Sequence, residues 1–224
     1  MQPRTLDHVA FWLADRDAVA DFVVRHLGMH VIDRTDAFTL VGSNARRGKL
    51  TLFAAEGPRE HGAFKHVALR VSDLDAVRTT LPSDESDSFV VGEGVEIRLV
   101  EAPTDVEFDL DHVALYTDDP AATAEEYRSY GFSPAESKDG VPRVEVGGAY
   151  VEFHRGEPGV PERPLLNHLA VLVDSADEHR ADAEDAGIEV ESFVDAPNTL
   201  AVFLWGPDRV RIEYVEHKPT FSLT

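Results

Sequence analysis

The chain has 224 residues, 43% of them hydrophobic, a formal net charge of −21 at pH 7 and no cysteine. That length and apolar content support one large or two small folded domains, while the charge repels nucleic acid and anionic membranes. Without cysteine there is no disulfide, no thiolate nucleophile and no thiolate ligand, so any metal must be held by nitrogen and oxygen. No run of 18 apolar residues and no charged-then-apolar leader occurs, so the chain is expected to be soluble and cytoplasmic. Only four of the 21 basic residues are lysine, a balance that fits either a saline cytoplasm or an acidic protein from a GC-rich genome.

A short apolar run with one histidine occurs four times: Leu6-Asp7-His8-Val9-Ala10-Phe11, Phe64-Lys65-His66-Val67-Ala68-Leu69, Leu110-Asp111-His112-Val113-Ala114-Leu115 and Leu166-Asn167-His168-Leu169-Ala170-Val171. The histidines are spaced long, short, long, which suggests a two-unit block that was itself duplicated.

In unit one the strand at His8 is followed by a helix with Val19, Phe22, Val23 and Leu27 on one face, Asp15 as N-cap and Gly28 as stop. Strands are expected at Met29 to Asp33, Phe38 to Val41 and Leu50 to Ala54. Unit two repeats this from His66 with a helix over Ser72 to Leu81, a polar loop from Pro82 to Ser88, and strands at Phe89 to Val91 and Val95 to Val100. Glu101 to Asp109 is polar and contains Pro103, which places a domain boundary at residues 104 and 105. Unit three has Pro120 at a first helical position, a stop at Gly131, and strands near Phe132 to Glu136, Pro142 to Val146 and Ala149 to His154. After a loop over Gly156 to Pro164, unit four runs from His168 through a helix at Ser175 to Ala186 and a stop at Gly187. Its later strands are Ile188 to Phe193, Leu200 to Trp205 and Val210 to Val215. The expected fold is α+β, with four βαβββ modules in two tandem domains, 1–104 and 105–224, each an open cup-like mixed sheet with helices outside.

Alternate strand residues share a face. Val113 and Leu115 pack under the helix, which leaves His112 and Tyr116 on the concave side; Tyr150, Glu152 and His154 face the same way on their strand, as does Glu213, with His217 beyond it. His112, Glu152, His168 and Glu213 could therefore converge on one divalent ion (Ni, Zn, Fe(II), Mn or Co). A lone strand histidine or glutamate is more often an ordinary polar residue; four at matching positions of two repeats is the stronger pattern. In the first two units the last-strand positions carry Thr51 and Arg98 instead of carboxylates, so that half is expected to be a degenerate, scaffolding copy, with Arg98 a candidate for binding an anion.

With these motifs the chain resembles the vicinal oxygen chelate superfamily, which includes glyoxalase I, type I extradiol dioxygenases and bleomycin-resistance proteins. The clearest signatures are Leu-Asp-His-Val-Ala-Leu at His112, and Gly206-Pro207-Asp208 leading into Arg211-Ile212-Glu213-Tyr214. The resemblance to glyoxalase I implies the ligand set His112, Glu152, His168 and Glu213, with Glu152 and Glu213 moving a proton between neighbouring carbons of a small substrate. The resemblance to extradiol dioxygenases implies iron held by His112, His168 and Glu213. Phe203 then stands where that group has a tyrosine, and Ala149 and Tyr150 where it has a second histidine. A metal-free sequestering protein is the third implication. Tyr116, Tyr150, His154 and Trp205 are the expected substrate-binding residues, in a monomer or homodimer with no nucleic-acid or membrane partner.

Overall fold

A computed structural model describes residues 2–82 and 86–224; the expected loop from Pro82 to Ser88 lies partly outside the described residues. Unit one comprises β1 (Thr5–Leu13), α1 (Arg16–Leu27), β2 (His30–Arg34), β3 (Phe38–Gly42) and β4 (Lys49–Ala54). Unit two comprises β5 (Phe64–Val71), α2 (Leu74–Arg78), β6 (Ser88–Val91) and β7 (Val95–Glu101). Unit three comprises β8 (Asp109–Thr117), α3 (Pro120–Tyr127), β9 (Ser133–Pro134), β10 (Arg143–Val146) and β11 (Ala149–Arg155). Unit four comprises β12 (Leu166–Leu172), α4 (Ala176–Asp185), β13 (Val190–Asp195), β14 (Thr199–Trp205) and β15 (Arg211–His217).

Local chemistry explains these elements. Asp15 accepts from the Ala18 amide at the start of α1, and Gly28 ends it at φ 74°, a left-handed cap that glycine adopts without Cβ strain. Asp119 caps α3 with Pro120 behind it, and Ser175 caps α4. α2 is five residues long, shorter than expected, because Asp73 is its N-cap and no αL glycine closes it. Among the described residues no helix is long and apolar enough to cross a membrane.

Within each unit the first and last strands pair in parallel: β1 with β4, β5 with β7, β8 with β11, and β12 with β15. The units then join through their first strands, β1 to β12 and β5 to β8, both antiparallel. The result is an eight-stranded sheet ordered β13-β14-β15-β12-β1-β4-β3-β2 and a seven-stranded sheet ordered β6-β7-β5-β8-β11-β10-β9. Unit one therefore shares a sheet with unit four, and unit two with unit three. This corrects the expected domains 1–104 and 105–224: β7 and β8 lie on either side of that boundary and belong to one sheet. Each first strand has one edge filled by its own unit's last strand. The repeat pattern does not specify which other unit fills the second edge.

The core lies between the two sheets. Val9, Val67, Val113 and Leu169 are fully buried, and Phe11 of β1 meets Phe64 of β5 edge-on at 5.1 Å. Phe22 of α1 lies 5.7 Å from Phe89 of β6, and the Tyr214 hydroxyl of β15 donates to the carbonyl of Tyr130 after α3. Each fully buried aliphatic or aromatic side chain contributes about 1.5–3 kcal/mol. The faces turned away from this core form the two cups.

Candidate metal centre

A β-bulge precedes every one of the four histidines. The register skips Asp7 and Asn167 in the β1–β12 pair, and Lys65 and Asp111 in the β5–β8 pair. A bulge re-aims the extra side chain, and each of these lies beside a cup. Asp7 Oδ2 is 2.9 Å from His8 Nδ1, Asn167 Oδ1 is 2.8 Å from His168 Nδ1, and Asp111 Oδ1 is 2.7 Å from His112 Nδ1. Such partners fix both the ring orientation and the tautomer of a ligating histidine. Lys65 cannot accept a proton, and His66 Nδ1 is buried without a partner.

The cup between units one and four is a cavity of about 430 Å³. His8 Nε2 lies 3.0 Å from His168 Nε2, and Glu213 Oε2 lies 3.2 and 2.9 Å from those same atoms. Both Nδ1 atoms donate, to Asp7 and to an Asn167 oxygen that also accepts from Arg211. In the neutral rings both Nε2 atoms are then bare lone pairs facing a carboxylate. Three Lewis bases at such spacing can share a proton or hold a metal ion. Two donors about 2.1 Å from an ion and at right angles to one another would lie about 3.0 Å apart, which matches this cluster.

The electrostatics agree. Burial opposes charge on His8, yet its bonds to Asp7 and Glu213 push its pKa up to about 8. Burial also works against the Glu213 carboxylate, but His168 and His8 hold its pKa well below the usual range. His168 is pushed down, chiefly by burial. Behind the ligands, Asp7 bridges His8, the buried Lys49 (2.7 Å) and His217 Nε2 (3.2 Å), and burial notwithstanding these partners keep it ionised. Phe38, Phe53, Phe203, Val215 and the C-terminal Phe221 form apolar walls. Thr51 occupies the fourth position of this cup: it sits opposite Ala10, as Glu213 sits opposite Ala170.

The cup between units two and three is of similar size, about 440 Å³, and has His66, His112 and Glu152 at the corresponding places. His66 Nε2 lies 3.0 Å from His112 Nε2, but Glu152 Oε2 is 3.5 Å from the latter. Because only His112 has its Nδ1–H engaged, His66 Nε2–H can donate to His112 Nε2, and the pair is satisfied without an ion. Arg98 fills the fourth position, opposite Ala68. Burial, with Arg98, His112, Lys65 and His154, pushes the His66 pKa down to about 2. That field opposes a metal ion.

The four residues expected to share one ion are thus divided: His168 and Glu213 stand in the one–four cup, His112 and Glu152 in the two–three cup. The physical reason is the exchange of sheet partners. His8, expected to be scaffolding, completes the first cluster, and His66 the second. Tyr116, Tyr150 and His154 lie on two–three cup strands; Lys65 sits 5.6 Å over Tyr116 and Arg143 4.0 Å over Tyr150. Trp205 lies beneath Arg209, outside the lining of either cup. The residues missed were Asp7, Lys49 and His217. The acid before His8 was a legible signal, since three of the four repeats carry Asp or Asn there. A larger hollow of about 820 Å³ lies between α1, α2 and residues 104–108, but among the described residues only the two cups gather three ligating side chains.

Fold and donors together define a class: repeated βαβββ units joined through their first strands around cups that collect imidazole and carboxylate. Residues 5–89 match the model of the Glyoxalase/Bleomycin resistance protein/Dioxygenase superfamily, and the rest of the chain repeats the same strand–helix–strand unit. No curated protein matches the sequence. A Bacillus subtilis protein provisionally assigned as a dioxygenase superposes with a TM-score of 0.78 at 15% identity, over 98% of this chain and 87% of that one. Glyoxalase I from Zea mays gives 0.73 at 14% identity over 95% and 92%, and the cppA protein of Streptococcus pneumoniae 0.66 at 13% over 96% and 98%. At these identities the likeness is one of fold.

Proposed function

We propose that the protein is a metal-dependent enzyme whose ion is held in the one–four cup by His8, His168 and Glu213, and that it cleaves the ring of a catechol-type substrate with dioxygen. The observation that carries this reading is the donor set. Two histidines and one carboxylate with Thr51 in the fourth place leave open positions for two further ligands, the arrangement suited to non-haem Fe(II) oxygenases. Ferrous iron, when bound, supplies the one-electron chemistry that lets a closed-shell diol react with dioxygen.

The chain's own residues supply the rest. The phenylalanine walls take a flat apolar ring and exclude water. Asp7 and Asn167 hold the two imidazoles with their Nε2 atoms inward. His217 lines the same cup with Nε2 3.2 Å from Asp7 Oδ1 and Nδ1 without a hydrogen-bond partner; it is the group we assign to accept a proton from a substrate hydroxyl. Phe203 stands where a tyrosine would otherwise do this work.

A glyoxalase-type proton transfer is the second reading. It drew its support from a four-ligand His, Glu, His, Glu set, which neither cup assembles, so it would rest on Glu213 alone as base. Anaerobic protein loaded with Fe(II) should consume dioxygen and yield a coloured ring-cleavage product from catechols. Protein loaded with nickel or zinc should leave a hemithioacetal unchanged. Turnover of the hemithioacetal without oxygen uptake would reverse this assignment.

A further inference from the structure

The two cups differ in the groups that stand at corresponding places. The one–four cup is lined by Asp7, Asp33 and Glu213 against a single lysine, Lys49. In the two–three cup both contributions from unit two are cationic: the bulge residue is Lys65 instead of Asp or Asn, and the fourth position is Arg98 instead of Thr or Glu. Lys138 also lines it, and Arg143 lies 3.9 Å from Glu152. Against these stand Glu96, Glu152 and Asp139, because Asp87 is taken up by Arg78. The lining itself carries Arg98 and Lys138 against Asp87, Asp139 and Glu152, with Lys65 and Arg143 outside it.

Two donors are unfilled. The Lys65 ammonium can only donate, so at 2.9 Å it fixes His154 Nδ1 as the acceptor and leaves the proton on Nε2. That Nε2–H is buried with no hydrogen-bond partner, and Glu152 Oε2 at 3.7 Å is out of reach. Leaving such a donor unpaired costs about 1–3 kcal/mol, which an incoming acceptor would recover. Arg98 spends Nε and Nη2 on one oxygen of Glu96, and among the described residues its Nη1 makes no bond.

We propose that the two–three cup binds a small organic carboxylate, held by Arg98 and the His154 Nε2–H, with Lys65 fixing the tautomer of that ring. The free guanidinium edge and a single imidazole N–H fit a planar oxyanion. This site is separate from the metal of the one–four cup and does not depend on the reaction proposed there.

The test is a titration of the full-length, metal-loaded protein with sodium benzoate, sodium phosphate and sodium chloride at matched ionic strength, followed by nitrogen NMR of the imidazole rings. Benzoate should saturate shifts at His66, His112 and His154, and Arg98→Gln and Lys65→Gln should each raise its dissociation constant at least tenfold with the melting temperature held. Unchanged binding in Arg98→Gln, or phosphate binding at least as tight as benzoate at these rings, would overturn the proposal. So would a second equivalent of divalent ion that His66→Ala removes. Metal in the one–four cup, counted through His8→Ala, reports separately on the enzyme reading.

Discussion

His8 Nε2 and His168 Nε2 lie 3.0 Å apart although 160 residues separate them, and Glu213 closes the triangle. Since both rings donate through Nδ1, the pair is relieved by a metal ion between them or by a proton on His8 Nε2. Their counterparts His66 and His112 show the same 3.0 Å separation and need neither. The same histidine spacing thus stands in different surroundings, with Glu213 closing on both rings in one cup and Arg98 beside the other pair, and the predictions follow from that contrast.

Removing a ligand should separate the cups. His8→Ala, His168→Ala or Glu213→Gln should each lower bound divalent metal to background, whereas His112→Ala and Glu152→Gln should leave it within about twofold of the parent. Elemental analysis of protein purified without chelator measures this. Metal loss confined to the His112 and Glu152 variants would reverse the assignment.

Protonation should compete with metal. His8 has a folded pKa of about 8 against an ordinary 6.5, so in metal-free protein its charged form adds stability that is fully present below pH 6.5 and is lost as pH rises through 8. The shift corresponds to about 2 kcal/mol. Glu213 has the opposite sign: its depressed pKa adds stability that is present above pH 4.5 and lost as pH falls towards its folded value. The apparent metal affinity should therefore rise about tenfold per pH unit up to pH 8 and then level off. Isothermal titration from pH 6 to 9 checks this, and a flat profile would contradict it.

Asp7 serves three partners at once. Asp7→Ala would leave Lys49, 3% exposed, as an unpaired buried charge, at a cost of about 3–5 kcal/mol. It would also free the His8 ring, lowering metal affinity about 10–100-fold. Asp7→Asn preserves an acceptor for His8 and should lose less affinity. Thermal unfolding with and without metal resolves the two effects.

The crossover between units two and three is held against unit one by a close backbone approach. Gly48 has φ +62°, and a Cβ there would lie 2.2 Å from the Phe108 carbonyl oxygen, beside the Ser43 hydroxyl that bonds the same carbonyl at 2.5 Å. Gly48→Ala combines left-handed strain with a backbone clash and should destabilise by more than about 2 kcal/mol. Gly28→Ala has the same backbone strain in open space and should cost less. Equal losses in denaturant unfolding would show that the contact does not matter.

The repeat, the face of every histidine and glutamate, the caps Asp15, Asp119 and Ser175, and the stop at Gly28 were legible in the amino-acid order, because each depends on residues within one turn or one strand. The bulges beside the histidines were half legible, through Asp7, Asp111 and Asn167. Which donors share a cup was not. That depended on β1 pairing with β12 and β5 with β8, a choice between equivalent free strand edges that only the packing of both sheets on a common core decides.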